Sequence, residues 1–262
     1  MMTKSPAYGQ VIQGKADQYN DPNYNYLDYW LGRDYEHQAE VLAIRRLLKG
    51  KHFIRALDIG GGYGRLSVLL EEFADQVTLA EPSRKQLDIA KTFLRDHPKI
   101  KRCQMQASEL EFKDGSFDLI LLVRVMHHLP NPKPELTEIA RILSPEGYAV
   151  IEVANYLHAQ NRLKHYLRGQ KFSSKPVDIR SPEHRSTEEI PFVNHNPHTV
   201  IKQLNEAGFK VERVLSVSNL RNPLVKKVIP RKLLIKMEKV LQPLLAGSFF
   251  GPSIFFLVRK TS

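Results

Sequence analysis

Apolar positions along the chain follow two alternating spacings. The segments Phe53 to Ile59, Gln76 to Ala80, Lys101 to Ala107, Phe117 to Val123 and Tyr148 to Val153 predict strands, and continuously apolar stretches such as Leu119 to Val123 predict burial on both faces. Between them, Leu66 to Phe73, Lys85 to Arg95 and Lys133 to Leu143 predict helices, with turns at Asp114-Gly115-Ser116 and Pro145-Glu146-Gly147. Strands alternating with helices of this length predict parallel βαβ units and a doubly wound α/β sheet. Further on, His198 to Gly208 predicts a helix closed by glycine, Phe209 to Val217 a strand, and Ser253 to Val258 a last strand.

Three stretches stand outside this alternation. Ahead of the first strand, Asp21 to Leu48 opens with aromatics (Tyr24, Tyr26, Tyr29, Trp30, Tyr35). It continues as an amphipathic pattern through Ala39, Leu42, Ile44 and Leu47, predicting a helical arm over residues 1–48. Two insertions, at about 155–197 and 219–252, interrupt the domain that spans residues 49–262. In the second, Leu233, Met237, Val240, Leu241 and Leu244 share one helix face, and Arg231, Lys232, Lys236 and Lys239 occupy the other. A basic amphipathic helix of this kind either caps the fold with its charged face in water or makes peripheral contact with an anionic membrane through residues 224–247.

The chemistry is concentrated where the first strand ends, in Ala-Leu-Asp-Ile-Gly-Gly-Gly-Tyr-Gly-Arg from Ala56 to Arg65. Glycines at Gly60, Gly62 and Gly64 permit positive φ and let a ligand approach the backbone, with the amides of the following helix pointing at it. The dinucleotide fingerprint G-x-G-x-x-G needs a glycine where Arg65 stands, so it fails here. About twenty residues past the first glycine, the second strand ends in Glu81-Pro82-Ser83, where a doubly wound fold puts the carboxylate that binds a ribose.

Asp58 followed by G-x-G-x-G resembles motif I of the class I S-adenosylmethionine-dependent methyltransferases, and Arg124-Val125-Met126-His127-His128-Leu129 is similar to that family's stretch after the fourth strand. The resemblance implies a Rossmann-like seven-stranded sheet with its last strand antiparallel, S-adenosyl-L-methionine as cofactor, and an arm lying over it. It further implies cofactor contacts from Asp58, Gly60, Gly61, Gly62, Gly64, Glu81, Pro82, Ala107 and Arg124, with Arg33 and Tyr35 on the cofactor carboxylate. Gln106 stands where the family usually carries an acid for the adenine amino group, and its carbonyl can accept the same bond. His127 or His128 is the candidate general base; the alternative is that both pack on a short turn while alignment supplies the acceleration.

Adjacent histidines diverge on a helix, and no nearby carboxylate and Cys set completes a metal site. The Pro-Pro motif of adenine-amine methylation is missing after the fourth strand. The single Cys, Cys103, belongs to the third strand rather than the position that cytosine carbon-5 chemistry requires.

Composition narrows the picture further. A single Cys leaves no internal disulfide, and Met1 to Asn20 has no signal-like apolar core; both predict a cytoplasmic protein. Of the net charge of +11, much lies from Lys202 onward, where 12 Lys and Arg face 3 Asp and Glu. The expectation is methyl transfer by direct displacement to a small-molecule or lipid-like acceptor. The alternatives are an RNA methyltransferase using the basic C-terminal region and a non-catalytic cofactor-binding module.

Overall fold

The computed structural model describes residues 19–21, 26–185 and 190–261. Residues 1–18 of the arm, the aromatic Tyr24 and residues 186–189 of the first insertion lie outside the described residues.

The arm contributes α1 (Tyr26–Tyr29) and α2 (Asp34–Leu47). The core then runs β1 (Phe53–Ile59), α3 (Ser67–Leu70), β2 (Ala74–Ala80), α4 (Arg84–Phe93), β3 (Ile100–Cys103), β4 (Phe117–Leu122), α5 (Lys133–Ile142) and β5 (Leu143–Ala154). The first insertion holds α6 (Ala159–Leu167), the short antiparallel pair β6 (Val177–Asp178) and β7 (Val193–Asn194), and α7 (Pro182–Arg185). After it come α8 (Pro197–Glu206), β8 (Phe209–Val217), α9 (Pro223–Val228), α10 (Arg231–Leu244) and β9 (Ser253–Lys260).

The main sheet has seven strands in the order β3-β2-β1-β4-β5-β9-β8. The first five are parallel, and β9 runs antiparallel between β5 and β8. Strand order reverses between β1 and β4, so the connections leaving them go to opposite faces and a crevice opens at their carboxyl ends.

Successive strand residues serve opposite layers. Leu119 and Leu121 join the core beneath α2, α3 and α4, whereas Ile120 and Leu122 join the one beneath α5 and α8. All four are fully buried, each stabilising the fold by roughly 2 kcal/mol. Helix starts follow local chemistry. Ser83 caps α4 by accepting the Gln86 amide at 3.2 Å, and Asn196 caps α8 ahead of Pro197. Gly208, at φ +85°, closes α8 as its spacing predicts.

Several elements differ in length from the sequence-based expectation. The helix predicted over Leu66 to Phe73 is four residues long, with turns on both sides of it, and β2 begins at Ala74, two residues before the predicted start. The third strand stops at Cys103, and Gln106 instead forms a local bridge with Glu109. β5 begins at Leu143, which pairs with Phe117 across an irregularity in the ladder.

Helix α10 corrects the expectation of a cap helix with only a charged outer face. Leu234, Glu238 and Gln242 are its buried residues, while Leu233, Met237, Val240 and Leu244 are exposed. Hydrogen bonds set this orientation. Glu238 accepts from the Tyr35 hydroxyl and the Ser218 amide, and Gln242 donates to the Ala39 carbonyl. Turning the apolar stripe inward would leave those buried partners unmet.

Candidate active site

The bend after β1 is built by backbone that only glycine adopts freely. Gly60, Gly62 and Gly64 all take positive φ, at 65°, 60° and 91°. Space is equally restrictive: a Cβ at Gly60 would lie 2.5 Å from Cγ2 of Val125, and one at Gly61 would lie 2.4 Å from Oδ2 of Asp58. The bend therefore packs against both its own strand end and the segment after β4.

Asp58 is turned inward beneath this bend. Its carboxylate accepts the Ser67 hydroxyl at 2.7 Å, and burial pushes its pKa up to about 6. At the end of β2, Glu81 accepts the Gly62 amide and the Ser83 amide, both at 2.9 Å, joining two predicted site residues across the β1–β2 pair. Pro82 follows with its carbonyl held by Gln104 at 3.0 Å, and Ala107 is buried near the end of β3.

Two amides at these strand ends lack partners among the described residues. Gln106 has a buried, unpaired Oε1, and both polar side-chain atoms of Gln86 are likewise buried and unpaired. The Gln86 Oε1 lies 4.0 Å from the place a Gly62 Cβ would take. Buried amide groups without partners are costly, and they are satisfied if a ligand brings the complementary groups. Nothing in the sequence singled out Gln86, although its place one turn after Glu81-Pro82-Ser83 was the available signal.

The arm closes over the bend. Tyr26 lies 3.3 Å from the Gly62 Cβ position and packs edge-on against Tyr19, Trp30 and Tyr63. Burial raises its hydroxyl pKa to about 12, which keeps it protonated. Ser83 donates to the Tyr19 carbonyl at 2.9 Å, and Lys85 to the Asp21 carbonyl at 2.6 Å, fixing residues 19–21 beside the end of β2.

Arg33 and Tyr35 are not brought to the bend. Arg33 stacks on Tyr29 at 4.0 Å, while Tyr35 is buried between α2 and α10, donating to Glu238 at 2.7 Å. The arginines nearer the bend are Arg65, stacked on Trp30 at 3.7 Å, and Arg124. Both pair with Glu40, at 2.6 Å each, on the buried side of α2. Against the burial that would raise its pKa, these two charges hold the Glu40 carboxyl below the ordinary range. Glu40 was missed by sequence reasoning; its position among Ala39, Ala43, Ile44 and Leu47 was the clue, since a carboxylate there must be paired.

Arg124 has φ +61°, a conformation unfavourable for a residue with a side chain. Its amide donates to Glu152 at 3.0 Å and its side chain donates to Tyr29 at 3.1 Å, which hold that strained backbone in place. Glu152, an acid within the buried end of β5, also accepts from Ser253 at 2.6 Å, and burial raises its pKa.

The two histidines have different surroundings. His128 is 3 % exposed, with Nδ1 3.0 Å from the Pro191 carbonyl and Nε2 3.0 Å from the Tyr19 hydroxyl. The carbonyl can only accept, so Nδ1 carries the proton and Nε2 accepts. Burial lowers its pKa to about 4. His127 stacks on Phe192 with 5.1 Å between ring centres and lines a cavity of about 390 Å³. Burial, then His128 and Arg124, put its pKa well below the ordinary histidine value, so its ring is neutral.

That cavity lies between the ends of β4 and β5 and the two insertions. Arg124 and Glu152 stand on one side, Phe192 and Asn194 on another, and Arg221, Asn222 and Phe250 complete it. A larger open groove of about 850 Å³ along α4, bounded by Leu27 and Phe93, contains none of the predicted site residues.

Residues 57–151 match the family model described as a methyltransferase domain. Over that span, from β1 into β5, the chain carries a class I S-adenosylmethionine-dependent methyltransferase domain. An uncharacterized methyltransferase of Schizosaccharomyces pombe is 32% identical over 40% of this chain and 41% of its own length. A ubiquinone biosynthesis O-methyltransferase of Coxiella burnetii is 31% identical over 41% of this chain and 45% of its own. These matches therefore span less than half of either relative.

Among solved structures, a chain of the Haloferax volcanii complex that contains the Trm112 methyltransferase activator aligns with a TM-score of 0.63. It has 17% identity and covers 95% of this chain and 100% of that one. At that identity the likeness shows the shared fold. S-adenosylmethionine is the cofactor this family implies, and the paired Glu81, the unpaired Gln86 and Gln106 and the close-packed glycine bend offer suitable groups for it.

Proposed function

We propose that the chain transfers a methyl group from S-adenosylmethionine to a hydroxyl or amine of a small acceptor held beside His127. The proposal rests above all on one juxtaposition. The glycine bend after β1 packs on Val125, two residues before His127, which lines a cavity of about 390 Å³. That volume lies in the range of small-molecule sites.

When bound, the cofactor supplies a methyl group activated on a positively charged sulfur. Glu81 would receive its ribose hydroxyls, Gln106 its adenine amino group and Gln86 a further polar group over Gly62. His127, neutral near pH 7, takes the proton of the acceptor as its oxygen or nitrogen is methylated. Arg124 and Glu152 orient polar groups of the acceptor, and Phe192 gives it an apolar wall. The relatives named for ubiquinone biosynthesis O-methylation favour a hydroxyl acceptor, within the limits of a match under half their length.

The test is incubation with methyl-labelled cofactor and a panel of phenols, amines and total RNA. Label on a phenol or amine, with stoichiometric S-adenosylhomocysteine, is the expected outcome. Label on RNA alone would overturn the acceptor class, and no heat of cofactor binding in calorimetry would overturn the whole proposal.

A further inference from the structure

The second insertion presents a surface that the proposed methyl transfer does not use. On α10, Leu233, Met237, Val240 and Leu244 are 49%, 36%, 63% and 71% exposed, and on α9 Leu224 and Val228 are 73% and 80% exposed. With 3.6 residues per turn, the four on α10 fall within about 60° of arc. Lys232, Lys236 and Lys239 lie about 100° further round, alongside the stripe. Scattered exposed apolar residues are ordinary, but a stripe bordered by one sign of charge is not.

The charges are available. Lys226 is paired with Glu36 and Arg231 with Asp34, whereas Lys227, Lys232, Lys236 and Lys239 have no ion-pair partner among the described residues. The only acid in either helix is Glu238, which is fully buried. Polar contacts anchor α10 to the arm without using the exposed stripe, including Arg46 donating to the Lys239 carbonyl at 2.7 Å and the buried Gln242 donating to the Ala39 carbonyl at 2.9 Å. The stripe therefore stays outward without leaving the fold open.

We propose that α9 and α10 dock the protein on an anionic lipid bilayer, with the apolar stripe entering the headgroup boundary and the lysines on lipid phosphates. Charge complementarity selects this occupant. A second copy would bring the same lysines face to face on a chain of net charge +11. Single-stranded RNA would need aromatic platforms, and neither helix carries an aromatic residue. A surface-lying helix with apolar residues on one arc and lysines beside it is suited to a bilayer interface.

The docking face adjoins the active-site cavity. Arg221 and Asn222, directly before α9, line both that cavity and a neighbouring groove bounded by Arg33, Glu36 and Lys226. Entry of a membrane-dissolved acceptor by this route rests on the proposed methyl transfer, whereas docking itself does not.

The experiment is co-sedimentation without cofactor, using vesicles of phosphatidylcholine alone or with one quarter phosphatidylglycerol. The chain is expected to pellet with the anionic vesicles and to leave them as salt rises. The triple substitution Leu233→Ser, Val240→Ser and Leu244→Ser should lower partitioning at least about tenfold. Lys232→Gln and Lys236→Gln should each lower it about fivefold. Circular dichroism and melting should be nearly unchanged, since these side chains are exposed. A wild-type chain that stays in the supernatant with anionic vesicles at low salt overturns docking. So does partitioning that survives both sets of substitutions, or a dimer that the triple substitution converts to monomer while vesicle binding persists.

Discussion

The Tyr19 hydroxyl meets Nε2 of His128 at 3.0 Å, so of two adjacent histidines one is secured at both nitrogens while the other faces the cavity. The roles should separate by substitution. His127→Ala is expected to lower kcat by about 100-fold or more while leaving cofactor affinity unchanged, as for loss of a general base. Because His127 titrates well below the ordinary histidine range, kcat/KM should be flat from about pH 6.5 to 8. A rise centred near 6.5 in steady-state assays would identify an ordinary solvated imidazole instead.

Acid stability carries two opposing contributions. His128 titrates at about 4 in the fold against 6.5 unfolded, so between those values only the unfolded chain takes the proton. Acidification through that window should remove about 3 kcal/mol of stability. Asp58 titrates at about 6 against 3.8 unfolded, so there the folded chain is protonated first. Acidification through its window should restore about 3 kcal/mol. Asp58→Asn keeps an acceptor for Ser67 and removes the second contribution. In urea unfolding the variant should be more stable than wild type at pH 7.5, should lose that advantage by pH 4, and should show the steeper acid loss.

Cofactor affinity should distinguish a carboxylate that is paired from an amide that is not. Glu81→Ala removes the acceptor of the Gly62 and Ser83 amides and should weaken S-adenosylmethionine binding by about 10- to 100-fold in calorimetry. Gln106→Leu removes an unpaired buried acceptor, so the ligand-free protein should be as stable as wild type or more so, while affinity falls about tenfold. Equal loss of stability and affinity in Gln106→Leu would mean that the side chain serves the fold.

The parallel core was legible because strand-forming runs and helix-forming runs alternate, and because Gly60, Gly62 and Gly64 mark a bend whose positive φ the structure reproduces. Phe209–Val217 was placed to the residue, since Gly208 and the helix before it fix where that strand begins. What escaped was tertiary. Glu40 and Glu152 stand in regular helix and strand positions, and their roles come from partners distant in the chain, Arg65 and Arg124 for the first and Arg124 and Ser253 for the second. Tyr35 was expected at the cofactor because the family resemblance lays the arm over it, yet α2 carries its side chain to Glu238, 203 positions away in the chain. The orientation of α10 was hidden for the same reason: periodicity records apolar positions, not which buried hydrogen bonds decide the face that docks.

That orientation is testable through Glu238. Its carboxylate accepts the Tyr35 hydroxyl at 2.7 Å and the Ser218 and Asn219 amides at 2.8 and 3.1 Å, and Tyr35 in turn accepts the Leu220 amide at 3.0 Å. Ser218 sits at φ +61°, so the carboxylate also stabilises a backbone conformation unfavourable for serine. Glu238→Ala leaves buried donors without an acceptor and should lower stability in urea by about 3 kcal/mol. Tyr35→Phe should lower it by about 1 to 2 kcal/mol, through the lost hydroxyl and the unmet Leu220 amide. Because both act through one network, the double variant should lose clearly less than the sum. Additive losses would mean that Leu234 and its apolar neighbours, rather than the polar network, hold α10 with its hydrophobic stripe outward.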